Sequence, residues 1–184
     1  MEFPSGNSHT LIILAAQRKI TTYFPQQTIH ETLATIEKKM NRREFSIDIE
    51  ADKPTIWKAL WDESSYRDWT SVFFEGSHVI ADSWEEGSHV HFLGPDKSGI
   101  YSLIDKHIPN EIIRFKHIGK VEKGKELPLD DETKKWSGAT EIYKITEGKK
   151  INTLIIEIEI MDEHLESMTN TFSKALEKVK NNCS

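Results

Sequence analysis

The sequence predicts an α+β fold: a curved antiparallel sheet of about seven strands wrapped on one long C-terminal helix, with two short helices after the first strand. Three observations carry this. Strand segments between residues 44 and 160 alternate apolar and polar, so each has one wet face, as in an antiparallel sheet covered on one side only. Turn residues separate these segments at short intervals. The last twenty residues carry a single apolar stripe at helical spacing, wide enough to cover the other face of the sheet.

Taken in order, Phe45, Ile47 and Ile49 alternate with Ser46, Asp48 and Glu50, giving a half-buried strand. Asp52 then offers a side-chain N-cap, with Pro54 in the first turn where its missing N–H costs nothing. Ile56, Trp57, Leu60 and Trp61 follow at helical spacing, and a second short helix carries Tyr66 and Trp69. Strands are expected at 78–81, 89–93, 99–106, 111–118, 139–145 and 151–160. Gly87, Gly94-Pro95, Pro109-Asn110 and Gly148 mark four of the turns between them. Residues 119–137 read as a long, charged, exposed loop or flap. The closing helix is expected from 163 to about 181, capped by Asp162, with Leu165, Met168, Phe172, Ala175, Leu176 and Val179 along its stripe.

The chain has 184 residues, room for one domain of this kind at 40–184 preceded by an extension at 1–39. Within the extension, Ile29, Leu33, Ile36 and Met40 have helical spacing. Two readings of it stay open, a real appendage or an upstream translation with Met40 as the natural start. Residues 11–16 are apolar, but Glu2 precedes them and Arg18-Lys19 follow at once, so no secretory signal is expected. Lys and Arg number 24 against 30 Asp and Glu, net −6, which argues against a nucleic-acid partner that must neutralise phosphates. No apolar run approaches the roughly 18 residues that span a bilayer. The single cysteine, Cys183, can make no intrachain disulfide, so a cytoplasmic protein is expected.

The residues that carry a family likeness are Phe45-x-Ile47-x-Ile49-x-Ala51-x-x-Pro54-x-x-Trp57-x-Ala59-Leu60, Tyr66-x-x-Trp69-Thr70, and Trp84-x-x-Gly87-Ser88. Further on come Ile108-Pro109-Asn110-Glu111, Trp136-Ser137-Gly138, and Phe172-x-x-Ala175-Leu176-x-x-Val179. In these the chain resembles the START-like, birch-pollen-allergen-like superfamily (SRPBCC, helix-grip fold). More narrowly it resembles the homologues of the activator of the ninety-kilodalton heat-shock protein ATPase. The likeness covers about residues 44–180. It implies a cavity for a small, largely apolar ligand between sheet and helix, and, as an alternative, a chaperone partner. A fold hosts many activities, so the site must decide among them.

Strand alternation sets the expected lining. Phe45, Ile47 and Ile49 face inward, as do Ile113, Phe115 and His117, and Leu154, Ile156, Ile158 and Ile160. For two strands the inner parity is a choice: Tyr101 and Leu103 over Ile100 and Ile104, and Tyr143 and Ile145 over Ile142. Trp69, Phe73 and Phe74 are placed at the sheet mouth, Trp136 on the loop, and Met168 and Phe172 on the helix. Most of such a set is ordinary core. His117 is the candidate polar contact, able to hydrogen-bond a ligand or act as acid or base near neutral pH. The plainer reading makes it a core histidine satisfied by a neighbouring carbonyl. Glu141 shares the parity of Tyr143; it is either a buried carboxylate with His117 as one partner or, the expected state, solvated on a flipped strand.

His89 and His91 share a strand face at a spacing that can chelate a metal, with His78 as a third candidate. No further ligands are supplied by pattern, so neither metal nor cofactor is expected. Three functions follow. The first is a binding module for a small hydrophobic molecule, monomeric or homodimeric. The second is a co-chaperone or stress-related interaction protein docking through residues 126–132 or an apolar patch. The third is a cyclase- or hydrolase-type enzyme using His117 with Tyr101 or Glu141.

Overall fold

The computed structural model describes residues 40–149 and 151–184, and of Glu163 only the backbone. The extension at 1–39, including its expected helix, lies outside them, apart from Met40, which opens a strand. Strands β1 (Met40–Ile49), β2 (His78–Ala81), β3 (His89–Leu93), β4 (Gly99–Ile108), β5 (Ile112–Glu122), β6 (Lys125–Glu126), β7 (Thr140–Thr146) and β8 (Asn152–Met161) form one antiparallel sheet. Helices α1 (Lys53–Trp61) and α2 (Glu63–Thr70) follow β1, and α3 (Leu165–Asn181) closes the chain. The spatial order is β1-β8-β7-β5-β4-β3-β2, with β6 paired to β5, so the sheet is open, with β1 and β2 at its edges.

Local chemistry explains the helices. The Asp52 carboxylate accepts from the Thr55 N–H at 2.9 Å and starts α1, with proline in its first turn. Asp62 separates α1 from α2. The Trp69 indole N–H donates to the Leu60 carbonyl at 3.0 Å, tying the second helix to the end of the first. On α3, Met168, Phe172, Ala175, Leu176 and Val179 are all buried against the concave face. Each large side chain there contributes about 1.5–3 kcal/mol. The Lys178 ammonium fastens α3 to α2 through Asp68 Oδ1 at 2.7 Å and the Asp68 carbonyl at 3.1 Å.

Two expectations need correction. The closing helix begins at Leu165, not 163: a 3-10 turn over Asp162–His164 precedes it, and no side chain caps either. The buried His164 and Met161 hold the chain to the core there, which leaves Asp162 exposed and off the helix end. Residues 119–137 are only partly loop. β5 runs on through Glu122 and turns back into β6, Ser137 Oγ donates to the Ile118 carbonyl, and the Trp136 side chain is buried. Within this segment the Thr133 N–H lies 2.6 Å from Asp130 Oδ1. Hydrogen bonding from Thr133, helped by Lys120, lowers the Asp130 carboxyl from 3.8 to about 2. A depressed carboxyl stabilises the fold in full above 3.8, and the contribution is lost as pH falls through about 2. In an NMR titration the Thr133 amide is therefore expected to shift with a midpoint near 2 and to lose that transition in Asp130→Asn. A midpoint at the ordinary value would contradict the assignment.

Candidate functional site

The interior between sheet and helices is mostly aromatic. Phe115, on β5, meets Phe92 edge-on at 5.0 Å and Trp61 at 5.5 Å, and Trp61 meets Tyr143 at 4.9 Å. Beneath α3, Phe172 stacks on Phe45 at 4.7 Å and takes the edge of Phe73 at 4.9 Å. Leu154, Ile156, Met168 and Phe172 are buried in this same core.

The inner parity of β7 is that of Tyr143 and Ile145, both in the core. On β4 the parity is the reverse of the expected one. Ile100 and Ile104 face the core, whereas Tyr101 packs with Leu93 and Val121 on the convex side, and Leu103 shares that outward side. Both faces of β4 are covered, so both of its parities are apolar and alternation could not choose. Trp69 is fully buried, Phe73 is half-buried against Phe172, and Phe74 is 36% exposed on the outside of the core.

A polar cluster lies inside this apolar shell. His117 is 2% exposed; its Nδ1 shares a 2.8 Å hydrogen bond with Ser102 Oγ, and its Nε2 lies 3.5 Å from Glu141 Oε2. The imidazole is thus held by a hydroxyl, not by a carbonyl, with a carboxylate close by. Glu141, expected in solvent, is buried at 1%, and Tyr143 Oη donates to its Oε1 at 2.5 Å. The cluster depends on an irregularity. Between Tyr101 and Ser102 the β4–β5 register slips by one residue, skipping Ile118, so that Ser102 rather than Leu103 comes opposite His117. No sequence pattern announces that slip, and Ser102 was not a candidate from sequence.

Tyr66 joins the cluster from α2. Burial first, and then the Glu141 carboxylate, push the Tyr66 and Tyr143 phenols well above their ordinary value of 10.0. Both phenols are neutral donors at physiological pH. Yet the Tyr66 hydroxyl, Glu141 Oε2, and the indole nitrogens of Trp61 and Trp136 have no hydrogen-bond partner among the described residues, although all are buried.

Tyr66 and Trp61 also line an opening of about 360 Å³ between the short helices and the edge strand β2. Glu63 completes its helical side; His78, Val79, Ile80, Ala81 and Trp84 form the other. The Trp61 ring, 5.3 Å from that of Trp84 and 4.9 Å from that of Tyr143, stands between this opening and the polar cluster. Sequence reasoning placed Trp61 and Tyr66 on helices but saw no site in them, because the opening arises where α1 and α2 meet a distant strand.

On the convex face, His89 and His91 both point at Glu126 of β6, whose Oε1 lies 3.4 Å from His89 Nδ1 and 2.8 Å from His91 Nε2. His78 stays apart, its Nδ1 3.3 Å from the Gly76 carbonyl. Among the described residues no group of three or more His, Cys, Asp or Glu is arranged to hold a metal. None of the described helices is long and apolar enough to cross a membrane.

This architecture is a START-like, helix-grip (SRPBCC-like) fold. Solved structures similar to the chain include the Aha1 dimer from Colwellia psychrerythraea, at 17% identity and a TM-score of 0.54, covering 77% of this chain and 95% of that one. CalU16 from Micromonospora echinospora is similar at 16% identity and a TM-score of 0.53, covering 79% and 77%. DynU16, from the dynemicin biosynthetic locus, is similar at 11% identity and a TM-score of 0.54; the match covers 76% of this chain but only 46% of DynU16. At these identities the likeness concerns the fold. No family model matches the chain, and no curated protein does.

Proposed function

We propose that the chain is a binding module for a small, largely apolar molecule, which it takes up through the opening between α1, α2 and β2. One observation carries this reading. A space of about 360 Å³ walled by Trp61, Tyr66 and Trp84 is lined by residues whose buried polar atoms have no partner among the described residues. Ligand sites have this make-up: apolar walls, a volume of about 300–1,000 Å³, and a few polar groups that fix orientation. The fold supports it as well, since it hosts apolar ligands in other proteins. This site lies beside the short helices, whereas alternation had suggested the space under α3.

Trp61 and Trp84 form the walls, so binding is expected to change tryptophan emission. Titration with naphthalene should give a saturable fluorescence change in the unmodified protein. Ala81→Trp, which fills the opening from β2, should weaken that binding at least tenfold while the far-ultraviolet circular dichroism stays unchanged. Absence of a saturable signal, or full affinity in a folded Ala81→Trp variant, would refute the proposal.

A further inference from the structure

We infer that the ligand of this site is a short extended peptide, apolar at alternate positions, which adds itself as a strand to the open edge of β2. The inference rests on the binding reading above and names the class of molecule bound.

Strand pairing sets which main-chain groups are open. Among the described residues β2 ends the strand order, with β3 as its neighbour. The Asp82 N–H donates to the His89 carbonyl at 3.3 Å, and on the far side of β3 the Gly94 N–H donates to the Ser98 carbonyl at 2.9 Å. Both bonds fix one parity: His89, His91 and Leu93 turn their main chain toward β2, Val90 and Phe92 toward β4. His78 and Ile80 therefore bond to β3, while the N–H and C=O groups of Val79 and Ala81 point away from it. These groups border the opening. Four successive residues, His78 to Ala81, line it, and their side chains alternate between faces, so the space they share runs along the strand's edge.

Such an edge is completed by another extended chain, whose main chain supplies the bonds and whose alternate side chains supply selectivity. Val79 and Ala81 lean toward the core, the side on which Trp61, Tyr66 and Trp84 wall the opening. Ligand residues paired with them, about 7 Å apart, turn their side chains the same way, onto those rings. The ligand residue between them lies beside Ile80, which is 52% exposed on the convex side opposite His91. A hydrocarbon uses the rings but none of these main-chain groups; a peptide uses both. The rim also selects charge. Glu63 lines the opening, and the exposed Asp82 follows Ala81, so in antiparallel pairing a cationic residue ahead of the first apolar one stands across from Asp82. A cationic peptide is drawn to a chain of net charge −6, which repels its own copies.

A blocked pentapeptide tests this, with lysine first, leucine second, phenylalanine fourth and threonine at the third and fifth positions. Its second and fourth residues face Ala81 and Val79. It is titrated by tryptophan fluorescence beside naphthalene, together with two derivatives methylated on one backbone nitrogen. Methylation of the fourth residue, whose N–H bonds to Val79, is expected to weaken binding about tenfold, the worth of one hydrogen bond. Methylation of the third, whose N–H points away, should leave affinity within about twofold. Exchanging the lysine for glutamate should weaken binding severalfold. Ala81→Pro removes an outward N–H and spares the bonds to β3, so the ratio of peptide to naphthalene affinity should fall severalfold. Val79→Pro serves if that variant does not fold. Equal binding of the two methylated peptides would overturn the strand pairing, and equal binding of the lysine and glutamate peptides would overturn its charge. Naphthalene binding without peptide binding would overturn the peptide inference and leave the binding reading intact. A solution dimer in analytical ultracentrifugation that Ala81→Pro dissolves would give the edge to a second copy instead. If neither naphthalene nor peptide binds, both proposals fall.

Discussion

Phe172→Ala is expected to lower unfolding stability by about 3–5 kcal/mol, the largest effect of any single truncation considered for this chain. Phe172 is fully buried, stacked on Phe45 and abutted by Phe73, so it joins the first strand, the segment after α2 and the last helix at one point. Its removal costs both the transfer of a phenyl ring and the void left among three elements that cannot all move inward. Urea denaturation followed by circular dichroism measures the loss directly. A loss below about 1 kcal/mol would mean that α3 can settle into the gap and that the core is far more plastic than its contacts imply.

The second large effect concerns the buried polar cluster. His117→Leu leaves Ser102 Oγ without its hydrogen-bond partner and removes the imidazole 3.5 Å from the Glu141 carboxylate, at about 1–3 kcal/mol for each orphaned group and more where a charge is involved. Glu141→Leu is similarly harmful, since it strips the acceptor from Tyr143 Oη. Combining the two replaces the facing polar groups by apolar ones, and roughly 0.5–3 kcal/mol of the summed cost should be recovered. Strict additivity in a double-mutant cycle would show that His117 and Glu141 do not interact across their 3.5 Å separation.

Where one face of a strand was dry and the other wet, direction could be read from the residues. Arg114 and Lys116 alternate with Ile113, Phe115 and His117, and the structure turns the latter three inward. The same holds for β8, where Glu157 and Glu159 interleave with Ile156, Ile158 and Ile160. Legibility failed where both faces are covered. β4 has the core on one side and Leu93 with Val121 on the other, so Tyr101 and Leu103 looked as eligible as Ile100 and Ile104. Glu141 was misplaced for a related reason: its burial depends on Tyr143, and on a His117 brought opposite Ser102 by a register slip that belongs to strand pairing. The opening beside Tyr66 was invisible because it is made by helices and an edge strand that are distant in the chain.

The pairing of β1 with β8 in unbroken register, from Met40 opposite Met161 to Ile49 opposite Asn152, has a consequence for how the protein is made. The ribosome delivers β1 about 100 residues before the partner that will pair with it, an interval of roughly 5–20 s at ordinary elongation rates. Throughout that time Phe45, Ile47 and Ile49 have neither a neighbouring strand nor α3 to cover them. The nascent chain therefore spends most of its synthesis with a sticky leading segment, and long-range closure of this kind is slow even once every residue is available. A chain interrupted anywhere before residue 152 emerges with that strand permanently unpaired, which makes the last thirty or so residues the step on which soluble production turns.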